Sequence, residues 1–439
     1  MNKALLRQLY TNKDLRKRIL IVLGILAIYA VLTNVPVPVP DTNKLQNFLL
    51  KLFQSSPLLG FANLFTGGAM SRFSIILMGL GPYINASIII QLLTQVVPKL
   101  NELQKEGESG RAKINHYTRL LTVPLAIIQS IAMVAFVRTL SVQVGGVDVI
   151  GSPTIAQWVL MISSIVAGSL LLTWLGELIT EYGIGNGISI LILAGIVASL
   201  PGTVIQQFGL AQADSTKLIG LIALAAIAFV AIVFVVYLNE GQRNIPISYA
   251  RRTTAIAAGS SVDTHLPLRV ISAGVVPIIF ALAFLSVPAF LGQLFSNASS
   301  SWVANMATTL SRWFQPTSWI YAITYFLLVF SFTFFYTGII FRPSEIAENL
   351  QKQGGFIPGV RPGTETVKYL KTIINRITLV GAFSLGILAL FPFVLQRFMS
   401  NSSALVSIGG TGLLIIVAVV IETMKQVESK ALMATYEKY

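Results

Sequence analysis

Two histidines, no cysteine and 17 acidic side chains leave this chain little for metal chemistry or for activating a nucleophile. His116 and His265 lie in separate polar stretches, and neither has the converging partners that zinc needs. The lack of cysteine removes disulfides, thiolate metal sites and thiol nucleophiles together. Gly183-Ile-Gly-Asn-Gly187 imitates a nucleotide loop, but it follows one long apolar stretch and opens another, with no strand before it and no acidic residue about 20 positions on. Glu106-Gly-Glu-Ser-Gly-Arg111 lacks the Gly-Lys-Ser/Thr of a phosphate loop. No nucleophile–base–acid set can be assembled from such parts. The residues therefore predict no catalytic centre, no metal and no cofactor. A pore, a carrier, a scaffold or a membrane-embedded enzyme acting on lipid remain.

The elements that must position any such site are membrane spans. The 439 residues are 54% hydrophobic and 11% charged, with a mean hydropathy of +0.75. Soluble domains carry about 25% charged residues, so this composition cannot wet a globular surface. The apolar stretches are long and continuous, unlike the short alternating strands of an outer-membrane barrel. Ten of them lack Asp, Glu, Lys and Arg: 19–35, 73–97, 120–137, 149–176, 182–200, 218–239, 270–291, 313–341, 377–396 and 405–421. Each is close to the roughly 20 residues a crossing helix needs. The first ends at Pro36-Val-Pro-Val-Pro40 and reads as a retained span, since no Ala-x-Ala-like cleavage site follows.

Ten spans place both termini on one side. That side then holds 24 of the 31 lysines and arginines, which predicts that both termini are cytosolic. The net charge of +14 follows largely from topology and calls for no nucleic acid. Carboxylates sort likewise: Glu177, Glu181, Glu240 and Glu422 fall at cytosolic ends, and none lies at mid-membrane. Ion-coupled pumps commonly keep an ionisable group inside the bundle. Its absence disfavours a secondary transporter of a small solute, although broken helices at Gly and Pro sites fit that alternative. A lipid-modifying enzyme would want an interfacial cluster of Asp, Glu or His, which is not apparent.

Three stretches are more specific than composition. The first runs Leu64-Phe-Thr-Gly-Gly-Ala-Met-Ser-Arg-Phe-Ser74, Gly81-Pro-Tyr-Ile-Asn-Ala-Ser-Ile-Ile-Ile-Gln-Leu-Leu93 and Glu106-Gly-Glu-Ser-Gly-Arg111. The second is His265-Leu-Pro-Leu-Arg-Val, then Ala273-Gly-Val-Val-Pro-Ile-Ile-Phe-Ala281. The third is Ala347-Glu-Asn-Leu-Gln-Lys, then Phe356-Ile-Pro-Gly-Val-Arg-Pro-Gly363. All three closely resemble the SecY family, the central subunits of the bacterial-type protein-conducting channel, and the likeness covers nearly the whole chain.

The resemblance implies roles residue by residue. Ile84, Ile88, Ile188, Ile192, Ile279 and Ile415 match the aliphatic pore ring, although membrane isoleucines also simply pack or face lipid. Phe65, Thr66, Gly67, Gly68, Ala69, Met70 and Ser71 match the plug, a re-entrant helix at about 57–73. Read alone, that stretch is an outside loop with a flexible turn. Gln91, Thr94, Pro277 and Val287 match a lateral gate between the second and seventh spans. Interhelical hydrogen bonds and kinks at Pro277 and Pro288 are the ordinary alternative. Arg251, Arg252 and Arg361 match contacts to the ribosome or the SecA motor. Otherwise they count only as basic loop residues.

The expected fold is an all-α membrane protein of ten helices in two five-helix halves around an hourglass pore. Residues 1–18 form a cytosolic N-terminus, 19–213 and 214–424 the halves, and 425–439 a cytosolic tail. The cytosolic loops 240–269 and 342–376 are the longest. The implied function is a plasma-membrane channel that passes unfolded polypeptides and releases apolar segments into lipid. Implied partners are SecE-like and SecG-like small membrane subunits, SecA, the ribosome, the translocating polypeptide and membrane lipid.

Overall fold

A computed structural model describes residues 12–55, 63, 66–145, 149–151, 153–212, 215–249, 264–271, 274, 276–295, 300–315, 318–398 and 412–436. Each expected apolar stretch carries a helix. In chain order the elements are α1 (Lys13–Leu32), α2 (Thr42–Ser55), α3 (Gly81–Val96), α4 (Pro98–Lys105), α5 (Glu108–Gly145), α6 (Ile155–Tyr182), α7 (Gly187–Gln212) and α8 (Ser215–Glu240). Then follow β1 (Gln242–Tyr249), β2 (Thr264–Arg269), α9 (Val276–Phe295), α10 (Ser301–Trp313), α11 (Trp319–Ile340), α12 (Pro343–Lys352), β3 (Gly355–Phe356), α13 (Thr364–Phe398) and α14 (Leu413–Tyr436). Among the described residues, four helices are long and apolar enough to cross a membrane: Glu108–Val142, Ile155–Tyr182, Trp319–Lys352 and Thr364–Phe391.

Helix boundaries follow local chemistry. Asn12 caps α1 by accepting the Asp14 N–H at 3.2 Å. Thr154 and Gln157 form a reciprocal capping box at the start of α6, satisfying two N–H groups that the helix leaves free. Across helices, Arg119 of α5 pairs with Glu177 of α6 at 2.6 Å, and Lys425 of α14 with Glu240 of α8 at 2.8 Å. These carboxylates sit at the helix ends where the charge pattern places them.

Two expectations on fold need correction. The stretch 73–97 is not one helix: 66–80 is a run of turns, and helix begins only at Gly81. Positive φ at Gly67, Gly68, Phe73 and Gly79 breaks the right-handed progression, since left-handed residues cannot propagate an α-helix. The fold is also not all-α, because β2, β1 and β3 form a three-stranded antiparallel sheet. Ile245 and Leu268 of this sheet bury against Ala347, Ile357, Leu370 and Ile373. The sheet thus ties the two long loops together. Alternation in Ile245-Pro-Ile247 and Leu266-Pro-Leu268 was the signal for it.

The long helices then frame the middle of the chain. α2 is an amphipathic helix whose Leu45, Leu49 and Leu52 bury with Val37, Phe73 and Leu77, and with Met133 and Val137 of α5. It braces the far end of the 66–80 segment.

Candidate functional site

The six candidate ring isoleucines come from four helices. Ile84 and Ile88 lie on α3, Ile188 and Ile192 on α7, Ile279 on α9 and Ile415 on α14. One apolar cluster contains buried Ile192 and Ile415, with Ile84, Ile188 and Ile279 packed against it. Ile88 is buried in the adjoining cluster with Ile278, Ala281 and Leu285 of α9, and Ile84 packs against both clusters. Five of the six positions thus share one core, and the sixth borders it. The walls where these helices meet carry aliphatic side chains.

The turn segment reaches into that core. Ala69 is fully buried within the same cluster. Gly67 has φ +64°, and a Cβ there would stand 2.7 Å from the Tyr29 hydroxyl and 3.2 Å from the Cα of Gly195. Only glycine gives both that backbone and that approach. Local bonds hold the segment together: the Gly68 N–H donates to the Asn63 carbonyl at 2.9 Å, and the Ser71 N–H donates to Asn63 Oδ1 at 2.9 Å. The Thr66 and Ser71 hydroxyls donate to the carbonyls of Asn63 and Gly68. Met70 is partly buried toward α2, and Phe65 lies outside the described residues. The far end is tied to the stretch after α1. The Val37 N–H donates to the Phe73 carbonyl at 2.8 Å, the Ile75 N–H to that of Val35 at 3.0 Å, and the Ser74 hydroxyl to that of Leu32 at 2.7 Å. Tyr29 and Gly195, which seat the segment, were missed from the sequence. A tyrosine inside the first apolar stretch was the available hint.

At the candidate gate, α3 and α9 pack against each other. Thr94 is buried and donates to the Gln91 carbonyl at 2.7 Å, within its own helix. Gln91 Nε2 donates to Ser87 at 3.2 Å, whereas its Oε1 is buried without a protein partner. Pro277 is buried at the second position of α9, where a missing N–H is tolerated. It starts the helix and does not interrupt it; Pro288 is the proline inside α9. Val287 is exposed, whereas Thr94 and Pro277 are buried.

Arg361 is exposed between Gly359 (φ +81°) and Gly363 (φ +103°), with its carbonyl accepting from the Thr366 hydroxyl at 3.0 Å. The two left-handed glycines hold one arginine out at a tip. Arg251 and Arg252 lie outside the described residues. Beyond the apolar part of α14, burial raises Glu422 above the usual carboxylate range, and the Arg269 charge opposes this. Among the described residues no group of three His, Cys, Asp or Glu gathers as a metal site would.

A family model described as SecY matches residues 74–424. The chain belongs to the SecY family. It is 40% identical over 437 residues to the protein translocase subunit SecY of Streptomyces galbus, covering 98% of each chain. It is 40% identical over 425 residues to the protein translocase subunit SecY of Escherichia coli strain K12, covering 97% of this chain and 93% of that one. Among solved structures, one described as a protein conducting channel superposes with a TM-score of 0.63 at 17% identity, covering 94% of this chain and 92% of that one. Sec61 in a canine ribosome–channel complex superposes with a TM-score of 0.61 at 17% identity and the same coverage. At that identity the likeness concerns the fold.

Proposed function

We propose that this chain is the pore subunit of a protein translocase, passing unfolded polypeptides across the plasma membrane and releasing apolar segments sideways into the bilayer. One observation carries the closed state: isoleucines from α3, α7, α9 and α14 meet in a core that Ala69 of the turn segment enters. Such an aliphatic constriction bars ions by dewetting. Flexible side chains can also close around a moving polypeptide. In this reading 66–71 is the plug, which must leave its seat at Tyr29 and Gly195 before a chain passes. α3 and α9 part to form the lateral gate, where each Leu, Ile, Phe or Val favours lipid by about 0.3–0.6 kcal/mol and a central charge opposes by about 2.5–3.5.

All ten apolar stretches cross the membrane in this reading, five in each half around an hourglass pore, with both termini cytosolic. The loops joined by the β-sheet present Arg361, with Arg251 and Arg252, to the ribosome or to SecA. SecE-like and SecG-like subunits complete the complex. The chain itself makes and breaks no covalent bond; a partner supplies the energy. The test uses the cysteine-free sequence. Single cysteines replace Ile84, Ile188, Ile279 or Ile415, and a polypeptide arrested in transit carries one cysteine. Disulfides should form at all four positions, and not at exposed Val287 while the arrested segment is hydrophilic. Crosslinks at none of the four would place the path elsewhere.

A further inference from the structure

α10 (Ser301–Trp313) has the polarity of a surface helix reversed. At 100° per residue, Trp302, Met306, Thr309 and Trp313 fall on one face. That face is open: Trp302, Met306 and Trp313 are 70%, 57% and 49% exposed. The opposite face offers the small residues Ala304, Ala307 and Ser311 to α9. A Cβ added at Gly292 of α9 would stand 2.7 Å from the Ser311 nitrogen and 2.8 Å from the Ala307 carbonyl oxygen. The two helices therefore cross almost backbone to backbone. A helix that faces water buries its large apolar residues and exposes polar ones; here two tryptophans and a methionine point outward.

Two further features say what covers them. Ser301, Asn305, Thr308 and Arg312 are exposed along one flank of the same helix, so its open surface splits lengthwise into an apolar half and a polar half. The helix contains one basic residue, Arg312, and no acidic one. Residues 314–318 then lead to α11, which is apolar enough to cross a membrane. Its Trp319, Ile320, Ile323 and Leu327 are exposed as an outward row. α11, like α10, thus leaves a row of large apolar side chains uncovered, and α11 follows α10 directly in the chain.

We infer that α10 lies along the membrane–water interface. Trp302, Met306 and Trp313 enter the boundary between headgroups and acyl chains, and Arg312 stands level with lipid phosphate. Tryptophan concentrates at that depth because its ring is apolar and its N–H is polar. An arginine stem reaches up from there to phosphate. Because α10 crosses α9 at Gly292, the helix that carries Ile279 is moored to the bilayer surface. In the orientation proposed above this interface belongs to the outer leaflet, a placement that rests on that reading, whereas the embedding of this face does not.

The experiment is a nitroxide depth scan on the full chain in phospholipid vesicles, with single labels after Trp302→Cys, Met306→Cys, Thr309→Cys, Trp313→Cys and Thr308→Cys. Labels at the first four positions should read about 5–10 Å below the phosphates, by contact with oxygen against a water-soluble nickel chelate. The label at Thr308 should read water. Thr309→Cys keeps both tryptophans, so the scan stands even where a tryptophan variant fails to fold. Four labels reached by the nickel chelate as readily as Thr308 overturn the inference, since the face then meets water. Immobile labels reached by neither reagent also overturn it, since a protein then covers the face. In right-side-out vesicles, ascorbate should quench the Thr308 label at once. Slow quenching with the depth pattern intact would refute the orientation and leave the embedding standing.

Discussion

Gly67→Ala should unseat the plug and make the resting channel leak. A Cβ there would stand 2.7 Å from the Tyr29 hydroxyl and 3.2 Å from the Gly195 Cα, where ordinary contacts are about 3.5–4.0 Å. Overfilling a packed site by that much costs about 1–3 kcal/mol. The cost falls on the seated state alone, so the ratio of closed to open should drop by about 5- to 150-fold. Alanine at a left-handed φ also strains the backbone by about 1–2 kcal/mol, but that strain stays with the turn whether seated or not. Gly68→Ala isolates it. Its φ is +84°, and its nearest neighbour would be the Ser71 hydroxyl at 4.0 Å. Planar-bilayer recordings should therefore show a much higher resting open probability for Gly67→Ala than for Gly68→Ala. Adding Tyr29→Phe should restore part of the closure, because the nearest clashing atom is gone while Gly195 remains; Tyr29→Phe alone provides the reference. Equal leak from the two alanine variants would refute the seat.

Three other outcomes are expected. Replacing Ile84, Ile188, Ile279 or Ile415 by Ser should open an ion leak, largest at wholly buried Ile415, and deleting 61–71 should raise leak less; unchanged closed-state conductance in all four ring variants would move the constriction elsewhere. Arg361→Glu should nearly abolish SecA-driven transport while stability stays within about ±0.5 kcal/mol, as for other exposed sites. Arg361→Lys should be intermediate, keeping the charge but losing the planar fork, and Lys352→Glu should be mild. Equal transport by Arg361→Glu and Lys352→Glu would leave Arg361 as topological charge. Reporters fused after Leu210 or Ser300 should read outside and those after Glu108, Ala257 or Gly354 inside, and a single inversion would break the ten-span topology.

Much of this protein is local in origin and so was legible in the residues themselves. A long apolar stretch satisfies its own backbone most simply as a helix, and each of the ten stretches carries one. The three motifs carried the resemblance to the SecY family, which the family match bears out. Where faces meet is a different matter, since hydropathy does not say how a helix is rotated or what lies across from it. Ile84, Ile188, Ile192, Ile279 and Ile415 share one core only because α3, α7, α9 and α14 converge; Ile88, one turn from Ile84, falls to the neighbouring cluster. Val287 and Pro277 look alike as gate candidates in the chain, yet one is exposed and the other buried at a helix start. The turns over 66–80 replaced an expected helix because successive left-handed residues outweigh local hydropathy. Pairing of β1 with β3 joins Ser248 to Phe356 across more than a hundred residues, a contact that no local pattern encodes. Trp302, Met306 and Trp313 acquire meaning only once Ala307 and Ser311 are seen against Gly292, because that crossing decides which side of α10 is left open.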